Sequence, residues 1–139
     1  MSLAHQQAIR LGHDYIGVEH LLLGFLEHGK GVGACVLENL NCDLGQMHQS
    51  VLARVQAASE PLHEQQLPFT ARAKKILEYA LDEAKAMDHN YVGTEHLLLG
   101  MLRLDEGFAF RTLCFYHLDY DTVRAEILDF LGSTDKQDA

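Results

Sequence analysis

The sequence has no tryptophan, only two prolines and three cysteines, and 11 Lys and Arg against 20 Asp and Glu, a net charge of −9. The shortage of basic residues argues against a nucleic-acid partner, because binding to a phosphate backbone depends on clustered Lys and Arg. Cys35, Cys42 and Cys114 include no Cys-x-x-Cys pair. That excludes a disulfide framework and a thiolate zinc site, and leaves buried or half-buried free thiols. No apolar run approaches the roughly 18 residues that span a bilayer, and no basic-then-apolar leader opens the chain. The expectation is a cytoplasmic protein without membrane association. Period-two alternation is missing over any strand length, which points to an all-α fold.

What is present is a repeated block. His13 to Gly24 reads His-Asp-Tyr-Ile-Gly-Val-Glu-His-Leu-Leu-Leu-Gly, and His89 to Gly100 reads His-Asn-Tyr-Val-Gly-Thr-Glu-His-Leu-Leu-Leu-Gly. Equivalent residues stand 76 positions apart without a gap. The same offset pairs Ala4 with Ala80, Ala8 with Ala84, Gly31 with Gly107, Leu37 with Leu113 and Asp43 with Asp119. The chain is therefore a tandem duplication whose unit is longer than ordinary solenoid periods. With 139 residues, 47% hydrophobic and 22% charged, the two halves suffice for one compact domain.

Apolar spacing predicts eight helices. Met1 to Leu11 is the end of a helix whose complete copy, Thr70 to Met87, carries Ala73, Ile76, Leu77, Ala80, Leu81 and Ala84 at helical spacing. Phe69 would have its counterpart seven positions before residue zero, so the first helix is expected to be short. Glu19 to His28 and Glu95 to Leu104 are too apolar for surface helices and should be the central helix of each half. Gly24 is tolerable there if a neighbouring helix packs closely. Gly29-Lys30-Gly31 and Asp105-Glu106-Gly107 break the chain. A third helix, Val32 to Leu40, and a fourth, capped by Asp43 and running to Val55, complete the first half. In the second half the third helix ends near His117 and the fourth spans Tyr120 to Leu131. This divides the chain into a first repeat (1–55), a mobile Glu-, Gln- and Pro-containing linker (56–68), a second repeat (69–132) and a tail (133–139).

Few constellations carry chemistry. Gly24 to Lys30 resembles the opening of a phosphate-binding loop, but Gly31 replaces the required Ser or Thr and a helix, not a strand, precedes it. His13, Glu19 and His20, repeated as His89, Glu95 and His96, are metal-ligand types without the i, i+4 histidine spacing of a zinc helix. They are expected to fix the loop by hydrogen bonds to backbone, with no metal. No Ser or Cys stands in a nucleophile context, so no catalytic residue and no cofactor are expected. The helix entrance is the remaining candidate: Thr94 as N-cap and Glu95 in the first turn set free N–H groups beside a carboxylate, which suits a zwitterionic group. Phe108, Phe110, Phe115 and Tyr116 replace Val32, Ala34, Asn39 and Leu40. They either fill a changed core or form a partner-docking patch, with Phe108 and Phe110 the docking candidates.

The doubled block, with Pro68-Phe-Thr-Ala-Arg-Ala-Lys-Lys75 opening the second copy, resembles the N-terminal double Clp repeat of ClpA/ClpC-type AAA+ unfoldases, ClpC being the closer likeness. The likeness covers nearly the whole chain, from Ala4 to Leu131. It implies two pseudo-symmetric four-helix repeats that receive protein substrates and adaptor proteins for an ATPase ring, without ATPase activity of their own. It further implies phosphoarginine recognition, with the motif Glu facing the guanidinium and the Phe-Thr segment helping to hold the phosphate. Phe69, Thr70, Thr94 and Glu95 match both parts in the second repeat. In the first repeat Glu19 matches, whereas Val18 replaces the Thr, so this site is expected to be the weaker one. The alternatives are a free-standing Clp-repeat adaptor without an ATPase and, more remotely, a metal-dependent hydrolase.

Overall fold

The computed structural model describes residues 2–29, 31–55 and 66–138. Its elements are α1 (Ser2–Leu11), α2 (Val18–His28), α3 (Gly31–Asn39), α4 (Leu44–Arg54), α5 (Ala71–Ala86), α6 (Thr94–Arg103), α7 (Gly107–Phe115) and α8 (Tyr120–Asp138). Among the described residues there is no strand, only an isolated parallel bridge between Ile16 and Phe69. The linker expected at 56–68 lies outside the described residues up to position 65. Its last residue, Pro68, is built into the fold by the hydrogen bond that its carbonyl accepts from the Ile16 N–H. Helix α8 continues to Asp138, so the backbone of the expected tail is helical.

Local chemistry sets the helix starts. Asp43 accepts a hydrogen bond from the Gln46 N–H at 3.1 Å and Thr70 from the Ala73 N–H at 3.1 Å, each an N-cap satisfying a donor that has no partner within its helix. The stops repeat between halves. Positive φ occurs at Gly12 and Asp88, at Gly29 and Asp105, and at Asn41 and His117, each pair at the common offset. The left-handed residue past a helix end is thus a property of the repeat, filled by glycine in one half and by Asp in the other at two of the three places.

Helices α2 and α6 are buried nearly all round, including Leu21, Leu22 and Leu23 and their counterparts Leu97, Leu98 and Leu99. Helix α1 crosses α2, and α5 crosses α6, at the glycine in the middle of each central helix. A Cβ on Gly100 would stand 2.6 Å from the Ile76 carbonyl oxygen, and one on Gly24 2.9 Å from the Ala4 nitrogen. Backbone approach this close explains a residue that otherwise costs a helix about 1 kcal/mol. The third helices are exchanged: α3 packs on α6 and α8 of the other half, and α7 reaches α2. This interleaving buries both central helices in one core. Cys42 is buried, but Cys35 and Cys114 are exposed free thiols, against the burial expected for all three, because both lie on the outer faces of α3 and α7.

Candidate functional site

Each central helix begins with the same polar arrangement. The Gly17 N–H donates to His20 Nδ1 at 2.8 Å, and His20 Nε2 lies 2.7 Å from His13 Nδ1. In the second half Gly93 donates to His96 Nδ1 at 2.8 Å, with His96 Nε2 2.8 Å from His89 Nδ1. The backbone donor fixes the tautomer: Nδ1 of His20 must be bare, so its proton is on Nε2 and is donated to His13. A third proton on the pair would break one of these bonds. Tyr15 stacks on His13 and Tyr91 on His89, closing each cluster. The histidines therefore hold the loop, as their residue type and position suggest. A Cβ on Gly17 or Gly93 would overlap the carboxylate of Glu19 or Glu95, which folds back over the loop.

The two halves differ in their ionisation. Burial, reinforced by His13, lowers His20 from 6.5 to about 4. His96 is also lowered, chiefly by burial and further by His89, while Glu95 and Glu83 oppose the shift. The first half has Gln7 at the position of Glu83, and its buried amide nitrogen has no hydrogen-bond partner among the described residues. Tyr15 is raised by burial and then by the charges of Glu19 and Asp14.

The sequence-derived candidates fall into two places. The N-cap of α6 is Gly93, not Thr94. His96 already serves the loop from inside the first turn, so the helix begins one residue earlier than expected and Thr94 is its first residue. The Thr94 hydroxyl accepts the Gly33 N–H of α3 at 3.0 Å. Glu95 is only 2% exposed and accepts a hydrogen bond from the Tyr91 hydroxyl at 3.4 Å. Phe69 and Thr70 belong to the second repeat in sequence, but their backbone joins the first-repeat loop: Ile16 N–H donates to the Pro68 carbonyl at 2.8 Å, and Thr70 N–H to the Ile16 carbonyl at 2.9 Å. Spacing along the chain could not reveal this crossing.

Glu19 is the more accessible carboxylate, with its side chain 21% exposed. It lines a cavity of about 410 Å³ with His13, Tyr15, Arg54, Val55 and Phe108. Arg54 is held there by a 3.3 Å hydrogen bond to the Thr112 hydroxyl and lies 4.7 Å above the Phe108 ring. Arg54 carried no motif signal, and only the fold sets it opposite Glu19. Phe108 and Phe110 are both half-buried, Phe110 beside Arg103 and Tyr120, while Phe115 of the same helix is 73% exposed.

The molecule is an all-helical double repeat built by duplication, with its central helices buried and a polar cluster at the entrance of each. The Clp repeat (R) N-terminal domain family matches residues 1–116 and, in a second alignment, 68–139, and the chain belongs to that family. It is 38% identical over 137 residues to the chaperone protein ClpB of Oceanobacillus iheyensis, covering 99% of this chain and 17% of that protein. It is 39% identical to the negative regulator of genetic competence ClpC/MecB of Bacillus subtilis over 138 residues, 97% of this chain and 16% of that one. The chain thus spans about a sixth of the length of these relatives. Among solved structures, the N-terminal domain of the chaperone ClpD from Arabidopsis thaliana has the same fold (TM-score 0.66, 23% identity, 94% of this chain and 88% of that one). So does the Hsp104 N-terminal domain from Candida albicans (TM-score 0.73, 16% identity, 95% and 86%).

Proposed function

We propose that this chain is the substrate- and adaptor-binding N-terminal domain of a ClpC-like ATP-dependent chaperone-protease system, and that it recognises proteins tagged with phosphoarginine. The domain is non-catalytic in this reading and works in cis with an AAA+ ring. The observation that carries the tag assignment is the cavity in which Glu19 and Arg54 face one space. Phosphoarginine joins a guanidinium to a phosphoryl group, so it needs an acidic and a basic partner a few ångströms apart. Glu19 suits the guanidinium and Arg54, held over the Phe108 ring, the phosphoryl. Phe69 and Thr70 reach the same helix entrance through the bridge to Ile16. Glu95 and Thr94, more enclosed and already engaged, form the secondary site. This ranking inverts the one suggested by motif completeness.

Calorimetric titration with a phosphoarginine peptide and its unphosphorylated arginine twin tests the assignment. Glu19→Gln should weaken the phosphoarginine peptide by at least about tenfold, near 1.4 kcal/mol, and Arg54→Gln should abolish the preference for the phosphorylated form. Unchanged binding in Glu19→Gln removes the proposed site, and no binding of the tag by the parent chain removes the proposed ligand.

A further inference from the structure

The aromatic pair at the end of α7 is no part of the Glu19 cavity. Phe115 is 73% exposed and meets Tyr116 edge to face, with ring centres 5.4 Å apart. In the first half the same positions carry Asn39 and Leu40. Beside the pair opens a cavity of about 360 Å³, where two equivalent turns meet: Leu40 to Cys42 after α3, and Tyr116 to Leu118 after α7. Each turn is fixed by a left-handed residue, Asn41 or His117, and by the N–H that follows it. Cys42 donates to the Leu37 carbonyl at 2.9 Å and Leu118 to that of Leu113 at 3.1 Å. The cavity is therefore preformed. A single exposed phenylalanine is ordinary on a protein surface, but this one borders a cavity with an acidic rim. Asp119 accepts the hydroxyl of Thr122, a lining residue, at 3.0 Å and its N–H at 2.7 Å. Its equivalent Asp43 follows Cys42, and Glu38 and Asp121 are exposed in the adjoining helical turns. Segments 31–53 and 112–123 contain no Lys or Arg. Among the described residues, the Lys and Arg ion pairs engage other carboxylates, those of Glu27, Glu106, Glu78 and Asp82. Of the flanking cations, Arg111 donates to the Gly107 carbonyl one turn back along α7, and Arg124 acts on Tyr120.

We infer that this surface docks a basic segment of a partner protein, one that sets a leucine- or phenylalanine-sized side chain in the cavity against Phe115 and a Lys or Arg on either side of it, toward Asp119 and Asp43. Burial of the apolar side chain supplies the affinity, and the four carboxylates without a cation of their own steer and select the segment. A second copy of the chain does not fit, because a two-fold pairing would set the same carboxylates against each other. An acidic or phosphorylated segment is repelled for the same reason. The inference rests on the reading of the domain as a protein-binding module, but it uses the end of α7 opposite to Phe108 and needs no phosphoryl group.

The test is a titration of the isotope-labelled chain with the acetylated, amidated peptide Gly-Lys-Arg-Leu-Phe-Arg-Lys-Gly, followed by amide resonances. Saturable shifts are expected at Leu40 to Cys42 and at Phe115 to Leu118. A twin with Ser in place of Leu and Phe keeps the charge and should bind at least about tenfold more weakly. A twin with Glu in place of the four basic residues keeps the apolar pair and should give no saturable shift there. Phe115→Ala removes an exposed side chain without disturbing the core and should weaken the parent peptide by at least about fivefold. Asp43→Asn combined with Asp119→Asn keeps both helix caps, since Asn caps as well as Asp, and should weaken it by about fivefold. No saturable shift at about millimolar peptide, where even a weak site would respond, overturns the inference. So do shifts confined to Tyr15 to Glu19, a serine twin equal to the parent peptide, or unchanged binding in Phe115→Ala or in the double Asn variant. A concentration-dependent dimer in sedimentation that Phe115→Ala abolishes would assign the surface to a second copy and overturn a basic partner. A silent phosphoarginine titration bears only on the Glu19 site, and a silent basic peptide only on this surface.

Discussion

Replacing His20 by Gln separates the holding role of the imidazole from its titration. The side chain of His20 is fully buried, its Nδ1 takes the Gly17 N–H, and its ionisation is displaced from 6.5 to about 4. The unfolded chain therefore takes up a proton near pH 6.5 that the folded chain refuses until about pH 4. The associated stability is fully present above pH 6.5 and is lost as the pH falls from 6.5 to about 4. The displacement is worth about 3 kcal/mol at the usual conversion, and solvent screening through the half-exposed His13 reduces the working figure to about 2 kcal/mol. Gln at the third position of a helix can accept the same backbone N–H, as in a capping box, and does not titrate. His20→Gln should cost about 1 kcal/mol at neutral pH, for the lost bond to His13, and should flatten the acid limb by about 2 kcal/mol. Urea unfolding followed by circular dichroism at several pH values on either side of 6.5 measures both quantities. The two proteins share every ionisable group except His20, so the difference between them reports on His20 together with its partner His13. If the variant loses stability toward acid as steeply as the parent, the buried neutral imidazole is not what the loop depends on. His96→Gln should show a smaller change of the same sign, because Glu95 and Glu83 oppose the shift there.

Gly100→Ala should destabilise the fold by about 1–2 kcal/mol despite better helix propensity, because its methyl group meets the Ile76 carbonyl; a rise in the urea midpoint would contradict the close crossing of α5 and α6. Asp105→Gly should stabilise by about 0.5–1 kcal/mol, since φ is 64° at Asp105 and the matching position in the first half is already glycine; thermal unfolding checks it, and a loss of stability would mean that the Asp side chain makes a compensating contact.

Much of the architecture was legible because its signals are local or periodic. The doubled block gave the unit length, the Leu-rich runs gave the central helices, and Asp43 and the Gly-containing breaks gave starts and stops. The entrance histidines were read correctly as loop-fixing groups, since an imidazole three residues into a helix can reach back to the backbone. Thr94 was misplaced by one position because a threonine before an acidic residue is a common cap signal, and the competing cap by His96 depends on how the loop folds back. The thiols of Cys35 and Cys114 could not be placed without knowing which face of α3 and α7 is covered.

Sequence alone determined that there are two copies, which residues are equivalent, and which copy has the fuller motif. Only tertiary structure decided how the copies share their parts. Because α3 and α7 are exchanged between halves and Phe69 pairs across to Ile16, the segment that opens the second repeat completes the entrance of the first. Long-range packing then buried Glu95, left Glu19 lining one cavity with Arg54, and covered Ile16 while its counterpart Val92 stays exposed. Equivalence in sequence fixes the backbone of each half, whereas accessibility depends on what the other half lays over it.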